Sequence, residues 1–389
     1  MAEKFIPLSV PNLKGNELKY VTMAVETEWV STGGPYVGEF EEKVADYVHA
    51  AGAVSCQNGT AGLHISLILA GVTKDDAVIV PTLTFIAAVN PVKYIDAFPI
   101  FMDCDDSLCL DPKKLETYCQ EECNFDGEKL TDSRTGRHVK ALVAVHVFGN
   151  MADMVSIKQI TERYHIVLIE DATEAIGTYY TNGPLKGKYA GTIGDVGVFS
   201  FNGNKIITTG GGGMIVSNHR DKLIRAKHLT TQAKSDELYY IHDEVGYNYR
   251  MTNLQAALGL AQLEQLENFI EKKHYNYFLY KGLLADIPEL YLLDVRFDIR
   301  SNRWFFALYL KDEFPVNRDE FIKYLAEHKI QSRPIWGLIH EQKPYRGAFS
   351  YQIEKAKDYW QHVVNIPCST NLMLEDIRRV IATIKMLFK

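Results

Sequence analysis

Strand-length apolar runs recur through the first two thirds of the chain, and amphipathic, helix-like segments separate them. The runs include residues 77–80, 99–102, 141–147, 165–169, 196–199 and 213–217. Several are apolar at consecutive positions, which is typical of strands covered by helices on both faces. Strands that alternate with helices predict an α/β fold built on a mainly parallel sheet.

The alternation fades after about residue 260, where a long amphipathic helix is predicted from Thr252 to about Lys273. A capping-box pattern at Thr252–Gln255 opens that helix. One clear strand follows at 305–310, and the polar segment 123–140 has the composition of a loop insertion. Because 389 residues suit two domains, we predict a large α/β domain over 1–260 and a smaller α+β domain over 261–389.

Charge and hydropathy exclude several classes of partner. The chain has 49 acidic and 42 basic residues, interspersed, for a net charge of −7, which argues against nucleic acid or a membrane surface. No apolar stretch reaches the roughly eighteen residues of a membrane span. The N-terminus lacks a signal-peptide pattern, so we expect a cytoplasmic protein.

Six cysteines raise the question of a metal site, because four of them fall within twenty residues. They stand at positions 56, 104, 109, 119, 123 and 368. Their spacing is not that of C-x-x-C zinc sites, and no histidine lies among the four. The pattern favours reduced thiols, and we expect no metal.

Lys205 lies in a polar turn between two predicted strands and precedes four consecutive glycines at 210–213. The elements on either side are expected to be buried, and burial disfavours the charged form of an amine. A desolvated lysine is the nucleophile that carbonyl chemistry and pyridoxal 5′-phosphate (PLP) require. The alternative is a surface lysine in a hairpin turn.

Asp171 follows the apolar run 165–169, at the strand end where ligands collect in doubly wound folds. A buried carboxylate there needs a cation, and a protonated pyridine nitrogen is one. The alternative is a helix N-cap. Gly59 and Thr60 begin a predicted helix whose free amides can hold a phosphate, although a capped helix without a ligand is commoner.

Two further side chains are candidates by position. Ser200, five residues before Lys205, could place its hydroxyl on the same phosphate, and Phe85 follows a strand and could stack on a flat heterocycle. The alternatives are a solvated serine and a core phenylalanine.

These pieces occur together and in order along the chain. They are 58–60, 81–85, 170–174, 200–205, 210–213 and 246–250. The set resembles the DegT/DnrJ/StrS family of PLP-dependent sugar aminotransferases, from Ile6 to the C-terminus. The resemblance implies PLP-dependent transferase fold type I, with a large, mainly parallel seven-stranded sheet, and a homodimer whose active sites lie at the subunit interface.

The resemblance also assigns roles. Lys205 would hold PLP covalently, Asp171 would pair with the pyridine nitrogen and Phe85 would stack on the ring. The phosphate would be bound by a set that draws on both subunits, namely Gly59, Thr60, Ser200 and Asn248 of the partner subunit.

Two positions depart from the family pattern. Glu174 stands where the family usually has Gln or His, near the phenolic oxygen of the cofactor. A carboxylate beside a phenolate repels it, so we expect one of the two groups to have a shifted pKa, unless Glu174 faces the sugar. The glycine run 210–213 lacks the glutamate that the family usually carries there.

Segments 6–20, 28–30, 101–106 and 170–174 are similar to the branch that aminates C4 of a UDP-linked 4-keto-6-deoxy N-acetylhexosamine, toward bacillosamine or legionaminic acid. Thr32 and Gly33 would lie over the sugar. His340 corresponds to a histidine near the substrate, although Leu338-Ile339 replaces the family's flanking Pro-Leu. A solvated loop histidine is the alternative.

The resemblance therefore implies transfer of an amino group from L-glutamate to the keto sugar, with ping-pong kinetics. A 3-keto sugar aminotransferase and a non-catalytic regulator with the same fold are the alternatives. A sugar dehydratase of this fold would carry histidine in place of Lys205. The sequence does not fix the nucleotide, the carbon aminated or the stereochemistry.

Overall fold

The computed structural model describes residues 4–388, which contain twelve α-helices and eighteen β-strands. The helices are α1 (Glu17–Glu26), α2 (Pro35–Val48), α3 (Gly59–Leu69), α4 (Asn90–Tyr94), α5 (Pro112–Glu121), α6 (Met154–Arg163), α7 (Arg220–Thr230), α8 (Asn253–Leu263), α9 (Leu266–Leu283), α10 (Arg318–Glu327), α11 (Lys355–His362) and α12 (Leu374–Lys385).

The strands fall into one large sheet, one four-stranded sheet and two short pairs. They are β1 (Gly52–Cys56), β2 (Asp76–Pro81), β3 (Phe98–Met102), β4 (Cys123–Phe125), β5 (Leu130–Asp132), β6 (His138–Val145), β7 (Val167–Asp171), β8 (Tyr179–Tyr180), β9 (Val196–Ser200), β10 (Gly213–Ser217), β11 (Lys234–Asp236), β12 (Ile241–His242), β13 (Leu290–Leu292), β14 (Ile299–Arg300), β15 (Phe306–Leu310), β16 (Arg333–Pro334), β17 (Ser350–Tyr351) and β18 (Val363–Ile366).

The large sheet has the strand order β1-β10-β9-β7-β6-β2-β3-β17. Its central strands β9, β7, β6, β2 and β3 are parallel to their neighbours in that series, whereas β10 is antiparallel to both β1 and β9. The predicted mainly parallel α/β sheet is confirmed. Seven strands of five to eight residues form its body, and the short strands β4, β5 and β17 extend it to ten.

Two predicted elements differ from the structure. Segment 123–140 is not a loop, because β4 and β5 form a hairpin that leads into β6. Its turn is closed by Asp126, whose carboxylate accepts hydrogen bonds from the backbone of Glu128 and Lys129. The long helix beginning after Thr252 is two helices, α8 and α9, separated at residues 264–265. The capping box at its start is present.

A second apolar core lies around the antiparallel sheet β13-β15-β18-β16, with α9, α10 and α12 packed on it. Ile6 joins this core from the other end of the chain, since its backbone pairs with Lys329 and Gln331. The domain division at residue 260 stays a prediction.

All six cysteines are buried and free of disulfides. Among residues 4–388, no helix combines the length and the apolar character needed to cross a membrane.

Candidate active site

A cavity of about 350 Å³ opens where the parallel strands of the large sheet end. The start of α3 and the segments that follow β2, β7 and β9 form one side of the cavity. Trp304, Phe305 and Trp336 form the other. The carboxyl ends of parallel strands are where α/β sheets bind ligands, because the crossover loops leave a crevice there.

Lys205 lies in the turn after β9, and its side chain is 13% exposed and lines the cavity. Its amine nitrogen Nζ is 3.8 Å from Oε1 of Glu174 and 4.2 Å from the ring centroid of Trp304. Burial lowers the pKa of Lys205, and the charges of Glu174 and Asp171 partly oppose that shift. The surface-turn alternative is therefore wrong.

Asp171 is the last residue of β7 and is 3% exposed. One carboxylate oxygen accepts a hydrogen bond from the backbone of Thr173 at 3.1 Å. Burial raises the pKa of Asp171, while that hydrogen bond and the charge of Lys205 lower it. No helix begins at residue 172, so the N-cap alternative is wrong. Asp171 lines the cavity, and among the described residues that line it Lys205 is the only one with a cationic side chain. The carboxylate is therefore suited to a cationic ligand.

Glu174 is buried a few residues further on, and its two carboxylate oxygens face different groups. Oε2 accepts a hydrogen bond of 2.7 Å from the backbone of Phe148, and Oε1 faces Lys205. Burial raises the pKa of Glu174 to about 7, and the charge of Lys205 lowers it. This shift arises from burial, and the predicted effect of a neighbouring phenolate stays a prediction.

The start of α3 lines the cavity. Asn58 caps the helix by accepting a hydrogen bond of 2.8 Å from Ala61, and the first helical amides have no partner within the helix. A Cβ at Gly59 would lie 2.9 Å from Thr173 and 3.1 Å from Ser200, so only glycine fits this closely packed turn. Ser200, at the end of β9, is 8% exposed rather than solvated.

Phe85 lies just after β2 and lines the cavity with 54% of its surface exposed. The core alternative for this residue is therefore wrong. An exposed aromatic ring over a cavity leaves a face free for a flat ligand.

Three aromatic residues of the cavity wall were not predicted. Trp304 and Phe305 stack with ring centroids 4.0 Å apart, and Trp336 packs on Phe148 at 4.6 Å. The sequence marks 305–310 only as a strand, and β15 begins one residue later. The consecutive aromatic residues before the strand were the available signal. Contacts distant in sequence bring Trp304 to Lys205, because Asn302 donates to the carbonyls of Glu174 and Ile176 and the indole of Trp304 donates to the carbonyl of Asn204.

Four predicted site residues do not line this cavity: Thr32, Gly33, Asn248 and His340. Gly33 lies against Trp29. His340 is packed, not solvated, with its Nδ1 2.5 Å from the hydroxyl of Thr82, and burial lowers its pKa. Asn248 pairs with Thr231, and its predicted place is in the partner's site. The substrate and partner-subunit roles of all four stay predictions.

Comparison with known proteins gives one consistent result. The model of the DegT/DnrJ/EryC1/StrS aminotransferase family matches residues 11–385. EpsN of Bacillus subtilis (strain 168), whose name describes a pyridoxal phosphate-dependent aminotransferase, is 35% identical over 99% of this chain and 96% of its own. GDP-perosamine synthase of Escherichia coli O157:H7 is 36% identical over 96% of each chain. The crystal structure of a DegT DnrJ EryC1 StrS aminotransferase from Brucella abortus is 25% identical, covers 95% of each chain and has a TM-score of 0.85.

Proposed function

The chain belongs to the DegT/DnrJ/EryC1/StrS aminotransferase family, and on that premise we propose that it moves the amino group of L-glutamate to C4 of a nucleotide-linked 4-keto-6-deoxy sugar. It is a PLP-dependent aminotransferase, and the predicted fold type I is confirmed. The single observation that carries the proposal is the amine of Lys205, buried in a cavity that also holds Asp171 and Glu174.

The cavity contains a group for each part of PLP. Asp171 is a buried carboxylate for the pyridine nitrogen, and Phe85 presents a ring face for stacking. The phosphate would take the amides of Gly59 and Thr60 together with the hydroxyl of Ser200. Bound PLP supplies a carbonyl group that reacts with amines and an electron sink for the carbon next to the nitrogen.

Lys205 has two tasks in this proposal. Its Nζ would hold the cofactor covalently, and the amine, once freed by the amino donor, would take a proton from the α-carbon of glutamate. In the second half-reaction the same amine would deliver a proton to the sugar carbon that gains nitrogen. Asp171 would pair with the pyridine nitrogen, and the aromatic residues Trp304, Phe305 and Trp336 line the cavity beside the amine.

We include a homodimer in the proposal, with Asn248 of the partner subunit at the phosphate. The segment before Asn248 exposes Leu238 by 77%, Tyr240 by 75% and Val245 by 80%. Apolar side chains exposed in one segment mark an interaction surface. Analytical ultracentrifugation of the unmodified enzyme and of Leu238→Asp tests this: the variant should shift toward monomer.

Two sugar nucleotides are candidates. The resemblance of segments 6–20, 28–30 and 101–106 favours a UDP-linked 4-keto-6-deoxy N-acetylhexosamine. The relative that makes GDP-perosamine, a 4-amino sugar, favours a GDP-linked 4-keto-6-deoxyhexose. Both have the ketone at C4, and they differ in the nucleotide and in the substituent at C2.

A product assay distinguishes these candidates. The purified enzyme is incubated with glutamate and a panel of UDP-, GDP- and dTDP-linked 3-keto and 4-keto sugars, and the products are identified by mass spectrometry and NMR. We expect a 4-amino sugar nucleotide from one nucleotide series. Amination of 3-keto sugars alone would contradict the proposed carbon.

A spectrum distinguishes an enzyme from a non-catalytic regulator of the same fold. The holoenzyme should absorb in the near-ultraviolet to violet and lose that band on addition of glutamate. A band that no amino donor changes would contradict the aminotransferase half of the proposal.

A further inference from the structure

The amine of Lys205 lies near two groups that come from distant parts of the chain. Oε1 of Glu174 is 3.8 Å from Nζ, and the centroid of the Trp304 ring, which Nζ lies over, is 4.2 Å away. Both a carboxylate and an indole face attract an ammonium group.

Other contacts fix Glu174 in place. Its second oxygen accepts the backbone N–H of Phe148, which lies in the left-handed region with φ of 56°. A non-glycine residue adopts this conformation at a cost, and such residues cluster where function requires it. The amide is thereby directed at the carboxylate, and the other oxygen is left to Lys205.

Trp304 is equally constrained. Its indole N–H donates a hydrogen bond of 2.7 Å to the carbonyl of Asn204, the residue before Lys205. Its own carbonyl accepts a hydrogen bond of 2.7 Å from Lys273. Trp304 is therefore held beside the lysine turn by two contacts that do not involve the amine of Lys205, one made by its ring and one by its backbone.

The other charged group that acts on Lys205 is Asp171 at the end of β7. His146, whose charge would also act on Asp171, accepts the backbone N–H of Ala152 at Nδ1, so its Nε2–H donates a hydrogen bond of 2.8 Å to the buried carboxylate of Glu170. Glu170 also accepts backbone amides of the 191–194 turn. Lys205 forms its ion pair with Glu174, so this carboxylate is the direct partner of the amine.

We propose that Glu174 and Trp304 form a waiting position for Lys205, in which the released amine keeps a proton between taking it from one carbon and delivering it to the next. The inference rests on the aminotransferase chemistry proposed above and is independent of the identity of the sugar. Glu174 and Trp304 are positioning residues, since they act through Lys205.

The physical basis is a balance of opposing effects. Burial disfavours the ammonium form of Lys205, whereas the carboxylate and the ring face favour it. Burial is the larger effect and lowers the pKa of Lys205. An amine whose pKa is lowered, while nearby groups still favour its charged form, can both accept and release a proton, as a proton shuttle must. The carboxylate of Glu174, at the position where the family usually has Gln or His, supplies a charge that an amide cannot.

Glu174→Gln is a matched variant, because glutamine keeps the shape and an oxygen that can accept the amide of Phe148 but removes the charge. Trp304→Leu removes the aromatic face. Trp304→Phe keeps a face without the indole N–H, and it serves if the leucine variant does not fold.

The first test measures the pKa of Lys205 directly. Holoenzyme treated with excess glutamate, so that Lys205 is free, is labelled with a trace of acetic anhydride over a range of pH, and the labelled peptides are quantified by mass spectrometry. Exposed Lys186 is the internal reference. We expect a lower pKa of Lys205 in both Glu174→Gln and Trp304→Leu, and a value closer to that of the unmodified enzyme in Trp304→Phe.

The sign of the shift separates this inference from a merely structural role. If Trp304 only excludes water, its removal hydrates the amine and raises the pKa of Lys205. A raised or unchanged pKa in Trp304→Leu, or an unchanged pKa in Glu174→Gln, would overturn the waiting position. If the unmodified holoenzyme does not respond to glutamate at all, the proposed function fails instead.

The second test follows the proton transfer in a single turnover. The rate at which glutamate bleaches the cofactor band should fall about tenfold in Glu174→Gln, a modest part of what a positioned acid–base group contributes. With α-deuterated glutamate the isotope effect should increase, because proton transfer becomes more fully rate-limiting. An unchanged rate and isotope effect would contradict the inference.

Discussion

Lys205 and Lys273 are both largely enclosed by protein, and their surroundings differ in ways that matter for reactivity. Lys205 lines a cavity, near a carboxylate and an aromatic face. Lys273, in α9, is 2% exposed and donates to the carbonyl of Trp304 in a closely packed interior, near the thiol of Cys368. Burial is the largest effect on both amines and lowers the pKa of each.

The comparison teaches that burial by itself does not identify a reactive amine. Lys273 has a partner that completes its environment, and Lys205 has acids and open space beside it. A site needs the open space for a ligand and the acid to control its charge. Five substitutions test this contrast, in order of decreasing effect.

Lys205→Ala should reduce turnover by at least about 10³-fold, since it removes both the covalent anchor and the proton-carrying group. Circular dichroism should show an unchanged fold, because the side chain lines a cavity. Lys186→Ala, at an exposed position, is the control and should retain full activity. Substantial turnover in Lys205→Ala would show that Lys205 is not the reactive amine, and the contrast with Lys273 would fail.

Asp171→Asn should reduce turnover by about 10²- to 10³-fold, which is the usual cost of removing one electrostatic group from a site. Asparagine keeps the shape of the side chain and removes its charge. The measurement is steady-state kinetics together with the absorbance of bound PLP, whose protonation state should alter. Kinetics and spectrum that both match the unmodified enzyme would show that Asp171 does not contact the ring nitrogen.

Glu174→Gln should stabilise the cofactor-free protein at pH above 7. The pKa of Glu174 is raised from 4.5 to about 7 in the folded state, so its stabilising contribution is full below pH 4.5 and is lost as the pH rises through 7. The loss corresponds to about 3 kcal/mol at most. Urea denaturation between pH 4 and pH 8 should show this loss of unfolding free energy in the unmodified protein and not in Glu174→Gln.

Lys273→Met should leave turnover almost unchanged and lower the free energy of unfolding by about 1 kcal/mol near neutral pH, because the carbonyl of Trp304 loses its donor. The pKa of Lys273 is lowered in the folded state. Between that pKa and the unfolded value of 10.5, the unfolded chain binds more protons, so the unmodified protein gains stability as pH rises.

The variant lacks this gain. The difference in unfolding free energy between the two proteins should therefore widen toward pH 10. A large loss of turnover in Lys273→Met would show that the two lysines act together and would break the contrast.

Phe85→Leu should have the smallest effect. The ring is exposed, so stability should stay unchanged, while PLP should dissociate about two- to tenfold more readily, as expected for loss of one ring-stacking contact. Dialysis followed by cofactor titration measures it. If Phe85→Leu retained PLP as well as the unmodified enzyme does, the ring of Phe85 would not stack on the cofactor.

Much of the fold followed from hydropathy, since consecutive apolar residues imply strands covered on both faces. Six of the seven main strands were predicted for this reason, whereas β1 (Gly52–Cys56) was not among the predicted runs. The hairpin at 123–132 was not, because its strands are only three residues long and mostly polar. The break after Leu263 was missed because the amphipathic pattern continues across it.

The residues of the site also fall into those that the sequence predicted and those that it did not. Lys205, Asp171, Gly59, Phe85 and Ser200 stand next to predicted strands or helix starts, and strand ends in a parallel sheet meet at one edge. Glu174 was singled out as a departure, but the direction of its carboxylate depends on the amide of Phe148, 26 residues away.

The sequence by itself determined the sheet, the edge where the site lies and the residues that this edge carries, because periodicity and strand ends are local properties. Only the tertiary structure decided which charges and rings surround the amine of Lys205. Trp304 reaches that amine across 99 positions of sequence, because the neighbouring Asn302 donates hydrogen bonds to the carbonyls of Glu174 and Ile176, and no local pattern encodes a contact of that range.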